Sequence, residues 1–179
     1  MNIKDLKFDR LTPETIIKPF NCGDTDLNGF LFDDSKKHLK ELIAVTYVLH
    51  MEDKTIAYYN LLNDKIAHTD LDKNIELFIK RIGKFISQDK RGDFKSYPAV
   101  KIGRLAVHED FQGQKIGNKI LDYLKGNFIL NNKTGCKFIT VDAYSNSTKF
   151  YKQNGFEFLS SKDKKSDTRL MYFNLDALS

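Results

Sequence analysis

Between an apolar run that ends at Val107 and a helical pattern that starts near Ile116 stands the hexapeptide QGQKIG, Gln112 to Gly117. Its chemistry is that of anion binding. The first N–H groups of a helix have no internal acceptor, and the helix dipole adds about half a positive charge at that end. Together they suit a phosphate or pyrophosphate. Gly113 and Gly117 let the backbone come close, and Lys115 adds a formal charge. A P-loop is excluded, because only three residues separate the glycines and no Gly-Lys follows. A GxGxxG dinucleotide fingerprint is absent as well.

Other chemistry-bearing residues are fewer. Tyr151 and Asn146 lie in SNSTKFYKQNGF, where Ser145 or Asn146 can cap a short helix and Gly155 can stop it. His108, Glu109 and Asp142 fall near the ends of expected strands and are candidate general bases. The histidines at 38, 50, 68 and 108 show no metal-ligand spacing. Cys22 and Cys136 are far apart and read as reduced thiols of a cytoplasmic protein.

The elements that must hold these residues follow from periodicity. LKFDRL is a short strand, and Asp24 or Thr25 caps a helix with apolar positions Leu27, Phe30, Leu31, Leu39 and Leu42. AVTYVLHM and TIAYYNLL form a hairpin around EDK. Asn63 to Pro98 is a long connection, with helical spacing of Ile75, Phe78, Ile79, Ile82 and Ile86. PAVKIGRLAV is a strand, and GQKIGNKILDYLKGNFIL a helix with Ile116, Ile120, Leu121, Leu124 and Phe128 on one face. KFITVDAY and TRLMYFNL are the last two strands. Strands on either side of a helix suit a parallel βαβ unit, whereas the early hairpin is antiparallel. The expected fold is therefore an α/β mixed sheet with flanking helices, in one domain spanning 1–179 with a helical insert around 63–98.

The composition suits one sizeable core. No run reaches the roughly 18 apolar residues of a membrane span, and MNIKDLKFDR has no apolar core of a secretion signal. The net charge is +5. From Lys73 to Lys95 seven basic residues stand against three acids, which makes either a solvated helix face or a footprint for an acidic partner.

QGQKIG resembles the Q/R-x-x-G-x-G/A loop of the GNAT superfamily of N-acetyltransferases. The strand IGRLAV precedes it at that family's spacing, and TVDAYSNSTKFYKQNGFEF is similar to the family's second motif, an Asn before a short helix carrying FY and then GF. The family has glycine where this chain has Lys115; the expectation is that Lys115 lies in the first helical turn with ordinary negative φ and no strain. KPFNCGDTDLNGFL further resembles the opening of a subgroup that includes toxins acetylating aminoacyl-tRNA.

The resemblance implies a sheet whose parallel strand pair splays. Acetyl-CoA is the donor, with its pantetheine arm on the backbone of Leu105, Ala106 and Val107. Gly103 is then the bulge that starts the splay. The pyrophosphate rests on the amides of Gln112, Gly113, Gln114, Lys115, Ile116, Gly117 and Asn118, and Asn146 contacts coenzyme A. Tyr151 is the general acid for the departing thiolate. No metal is implied. The acceptor is a primary amine on a small molecule, a peptide or a charged tRNA, with no membrane partner. An α-amine near pKa 8 needs no strong base, since about a tenth is neutral at pH 7. A lysine near pKa 10.4 is costlier by about 3 kcal/mol. The insert has two candidate roles, covering the acceptor site or mediating a homodimer. The alternative readings are toxin-like acetylation of aminoacyl-tRNA and a non-catalytic coenzyme A-binding module.

Overall fold

In the computed structural model the residues described are 8–51, 53–71, 78, 82, 94–130 and 134–178. In chain order they form strand β1 (Asp9–Arg10), helix α1 (Thr25–Gly29), a π-helical turn (Phe30–Asp34), helix α2 (Ser35–Lys40), and strands β2 (Val45–Met51), β3 (Lys54–Ala67) and β4 (Ser96–Val107). Helix α3 (Ile116–Leu130), β5 (Phe138–Tyr144), helix α4 (Thr148–Gln153), β6 (Glu157–Phe158) and β7 (Thr168–Asn174) follow. The strands lie in the order β1-β2-β3-β4-β5-β7-β6. β4 and β5 are the parallel pair of this mixed sheet; β1 with β2, β2 with β3, β5 with β7 and β6 with β7 are antiparallel. This is the expected fold class.

The residues group into two compact units, Met1–Leu62 with Ile102–Leu124 and Asn63–Lys101 with Lys125–Ser179. In the first, Leu11, Phe20, Phe30, Leu31, Val48, Tyr58 and Ala106 form the core on the side of α1 and α2. The Tyr58 hydroxyl, deep in that core, donates to Leu27 O at 2.6 Å, so its polar end is satisfied. On the opposite side Tyr47 stacks on Tyr59, and Phe8 bridges Tyr59 and Tyr123 of α3. In the second unit Ile66, Phe78, Ile82, Tyr97, Ala99, Phe138 and Tyr172 form the core.

Asp24 caps α1 as expected: its carboxylate accepts from Leu27 N at 3.0 Å. Leu42, expected on the helix's apolar face, is instead outside the helix. α2 ends at Lys40, and Leu42 takes φ +58 with 90% of its surface exposed. β3 runs to Ala67, longer than expected, because β4 is already paired alongside it from Ser96. The helix expected over Leu71–Ile86 and the basic segment Lys73–Lys95 lie outside the described residues, except at Leu71, Phe78, Ile82, Phe94 and Lys95. Among the described residues no helix is long and apolar enough to cross a membrane.

Candidate active site

The stretch expected to bind an anion lies wholly within the first unit. β4 ends with Ala106 buried in the core and Leu105 and Val107 half-buried. The chain then leaves the sheet through His108, whose N–H donates to Ile56 O at 2.8 Å, and Glu109 N donates to Asn21 O at 2.8 Å. A 3-10 turn, Glu109–Phe111, follows, and the loop residues Gln112 to Lys115 are exposed up to the start of α3. Ile116, Ile120, Leu121 and Leu124 anchor α3 in the core, each at most 4% exposed.

One side chain fastens this loop. Gln112 Nε2 donates both to Val107 O at 3.0 Å and to Cys22 O at 2.9 Å, so a single amide ties the loop back to the strand end and to the turn before α1. The Gln112 N–H is itself used within the turn, on Glu109 O at 3.2 Å. Gln114 Nε2 reaches Asp110 O at 3.2 Å. Lys54 pairs with Asp110 at 2.9 Å and holds that carboxyl below the usual carboxylate range. The only acid between His108 and Ile116 besides Glu109 is thereby charge-compensated.

Lys115 departs from the expectation of an ordinary φ. Its φ is +60, and Gly113 has φ +75. Lys115 O accepts the first helical bond, from Lys119 N at 3.1 Å, so Lys115 is the residue flanking the helix rather than one inside its first turn. The chain must reverse between the fastened loop and a helix whose first residue, Ile116, is already buried. A left-handed residue makes that reversal. A glycine would adopt it freely, whereas a lysine bears a cost of about 1–2 kcal/mol. A Cβ at Gly113 would meet nothing within 4 Å, so its φ alone demands glycine. The result is an exposed loop with two left-handed residues, opening into a fifteen-residue helix whose first N–H groups lack helical acceptors. That chemistry fits the pyrophosphate of a coenzyme A ester.

Tyr151 and Asn146 lie in the second unit. Tyr151 is 7% exposed on α4, with its ring edge-to-face against Phe150 and Phe156 at 5.1 and 5.4 Å. Burial pushes its phenol above the usual tyrosine value, so it keeps its proton throughout the neutral range. The chain stops α4 at Gly155, φ +82, where Phe173 stands 3.0 Å from any added Cβ. Asn146 is exposed in the 3-10 turn Ser145–Ser147. It does not cap α4; its Oδ1 accepts from Ser147 Oγ at 3.1 Å, and the cap residue Ser147 makes no side-chain bond to the N–H groups of α4.

The three candidate bases each have a structural partner. His108 Nδ1 accepts from Asp110 N at 3.2 Å and caps the 3-10 turn. Glu109 accepts from Asn21 Nδ2 at 2.9 Å. Asp142 pairs with Lys101 at 2.8 Å. That last contact belongs to a polar cluster that periodicity did not reveal. Lys101 also lies 3.9 Å from Asp64, which accepts from the Thr140 hydroxyl. In the first unit, Thr46 faces Asn60 across β2 and β3, and both have buried side-chain oxygens without a hydrogen-bond partner. A Cβ at Gly103 would stand 2.7 Å from Asn60 Oδ1, so close approach requires glycine there. An Asn inside AYYNLL was the available signal for that site. Among the described residues no three His, Cys, Asp or Glu side chains are grouped to hold a metal ion.

A family model described as an acetyltransferase (GNAT) domain matches residues 81–175. The solved structures similar in fold include a bacterial toxin, TM-score 0.75 at 14% identity, covering 97% of this chain and 92% of the other. AtaT in complex with acetyl-methionyl-tRNAfMet superposes with TM-score 0.70 at 22% identity, covering 97% of each chain. AtaTR bound with acetyl-CoA gives 0.69 at 22% identity, covering 98% of this chain and 96% of the other.

Proposed function

We propose, from the premise that this chain belongs to the GNAT acetyltransferase family, that it transfers an acetyl group from acetyl-CoA to a primary amine by direct attack in a ternary complex. The observation that carries the donor is the loop between β4 and α3. Gln112 fastens it, Gly113 and Lys115 turn it through left-handed angles, and the opening turn of α3 follows at once. The N–H groups from Gly113 to Asn118 would hold the pyrophosphate, with the Lys115 ammonium adding charge. The backbone of Leu105, Ala106 and Val107 would hold the pantetheine amides, and Asn146 the coenzyme.

The amine attacks the thioester carbonyl, and the carbon–sulfur bond breaks as the nitrogen–carbon bond forms. Tyr151 donates its phenolic proton to the sulfur that leaves, and the attacking nitrogen loses its surplus proton to solvent. Because burial raises its pKa, Tyr151 is always charged with a proton but is a weaker acid than free tyrosine. It therefore gives the proton up only as charge develops on the sulfur, and solvent then returns one to it.

No candidate base is without a structural partner. That supports an acceptor neutral enough to attack unaided, an amine of pKa near 8 rather than a lysine side chain. A second reading follows from AtaT, whose complex contains acetyl-methionyl-tRNAfMet: the acceptor is the α-amine of an aminoacyl-tRNA. That amine has the low pKa the site favours.

Free-thiol release from acetyl-CoA, with small amines, peptides and charged tRNA as separate acceptors, tests both. Release with none of them, together with no thermal shift on adding acetyl-CoA, rejects the enzyme reading. A thermal shift without release favours a coenzyme A-binding module.

A further inference from the structure

At the β1 edge of the sheet, within the first unit, an open groove of about 490 Å³ runs between the segment after β1 and the outer face of α2. Leu11, Pro13 and Leu39 supply its apolar lining, and Arg10, Lys36, Lys37 and Lys40 its cations, Lys36 Nζ donating to Pro13 O at 2.7 Å, with no acid among the lining residues. Exposed apolar side chains follow both lining segments within a few residues in the chain. Ile16, three residues beyond Pro13, is 85% exposed; Leu42 and Ile43, just beyond Lys40, are 90% and 47% exposed.

Leu42 is the informative residue. It closes α2 through the bond of its own N–H to Leu39 O at 3.1 Å and that of Ile43 N to His38 O at 2.9 Å. This is the helix ending in which the left-handed position is ordinarily glycine or asparagine. The chain has a leucine there, at φ +58, with its side chain in solvent. Within the described residues that side chain returns nothing for the strained backbone or the exposed surface. We propose that the groove and Leu42 form a docking surface for a segment of a partner protein that combines acidic with large aliphatic side chains.

The chemistry selects this occupant over two others. A single-stranded nucleic acid would use the cations but gains its base contacts from aromatic platforms, and the apolar lining here is aliphatic. A second copy meeting the same face would set four cations against four, in a chain of net charge +5. An acidic, aliphatic segment satisfies both the cations and the apolar lining. The exposed Lys37–Asp34 pair is of the weak surface kind and gives way to a better partner. The inference does not depend on acetyl transfer.

A displayed library of random peptides, panned on the full chain and counter-selected on a Lys40→Glu/Leu42→Gly double variant, tests it. The expected pool is enriched in Asp and Glu together with Leu, Ile or Phe. Its members should bind the wild type with an affinity that falls with salt and drops about tenfold or more with either single substitution, as for a contact residue at an interface centre. Leu42→Gly should melt no lower than the wild type and keep its acetyl-CoA turnover, so loss of binding cannot be loss of fold. No enriched pool, or a pool indifferent to both substitutions, overturns the proposal. So does a lower melting temperature for Leu42→Gly, which would give Leu42 a role in the fold. A dimer in light scattering that Leu42→Gly dissociates would make the occupant a second copy. Single-stranded RNA bound in a Lys40-dependent way, without acidic peptides, would make it a nucleic acid.

Discussion

At the residue scale, two side chains divide the proposed chemistry between them. Tyr151 is buried, protonated and aromatic-lined. Tyr151→Phe should lower kcat about a hundredfold or more while leaving the acetyl-CoA thermal shift intact; an unchanged kcat would remove Tyr151 from the chemistry. Lys115 is the opposite case, an exposed cation on a backbone that resists it. Lys115→Gly should raise Tm by about 3–6 °C, from the release of about 1–2 kcal/mol of strain. The same variant should raise the KM for acetyl-CoA if the ammonium contacts phosphate. A higher Tm with an unchanged KM would mean the lysine is strain without reward at that site. The pH dependence follows from the same residues. kcat/KM for an α-amine acceptor should climb to about pH 8 as the amine loses its proton, then stay level to about pH 10, because Tyr151 is held protonated beyond its ordinary range. A descending limb below pH 9 would point to an essential acid other than Tyr151.

At the element scale, the loop proposed to hold the pyrophosphate is short, fastened at one end by Gln112 and continued by a long helix at the other. Gly113→Val should disable it: a β-branched residue at φ +75 is strained even though the space around it is open. Acetyl-CoA binding should weaken about tenfold or more by calorimetry, with circular dichroism little changed, since the loop is exposed. This strand–turn–helix arrangement was legible in the sequence because it is local. Apolar spacing marks the strand and the helix, and the glycines and amides between them have few other uses. The left-handed angle of Lys115 was not legible. It arises from where the Gln112 bonds to Val107 and Cys22 pin the loop, and from the buried start of α3, and Cys22 is ninety residues away. The sharp end of α2 was missed for a related reason. Leu42 continues the apolar spacing, but its backbone closes the helix instead.

At the scale of the whole molecule, the buried tyrosines set an alkaline limit. Tyr58, Tyr59 and Tyr151 all have phenols raised by burial. In the unfolded chain they would ionise near pH 10, before they do in the fold. The unfolded state then binds fewer protons, so the stability these groups contribute is complete below about pH 10 and is lost as the pH rises further. Tm measured against pH should be flat to about pH 9.5 from this source and fall beyond it, with the tyrosinate absorbance of Tyr58, Tyr59 and Tyr151 appearing at the transition rather than ahead of it. A wild-type titration ahead of unfolding that loses amplitude on Tyr58→Phe, Tyr59→Phe or Tyr151→Phe would show that phenol to be accessible. The net charge of +5 acts at this scale too. If charged tRNA is an acceptor, its KM should rise steeply with salt while that of a small amine stays level.

Periodicity and local chemistry were sufficient for the main strands and helices outside the insert, the mixed sheet, the Asp24 cap and the strand–turn–helix around the glycine loop, since each depends on residues within a turn or two of one another, whereas the two-residue strand β6 was missed. Only the tertiary structure decided what depends on strands far apart in the chain. It ties His108, Glu109 and Asp142 to structural partners and gathers Asp64, Lys101, Thr140 and Asp142 into one polar cluster. It sets Asn60 against Gly103 at a distance no side chain could share. It leaves Leu42 outside its helix, in solvent. A spacing pattern tells which face of an element is apolar. It does not tell which neighbour covers that face, and the neighbour determines whether a polar group is bonded, orphaned or free to react.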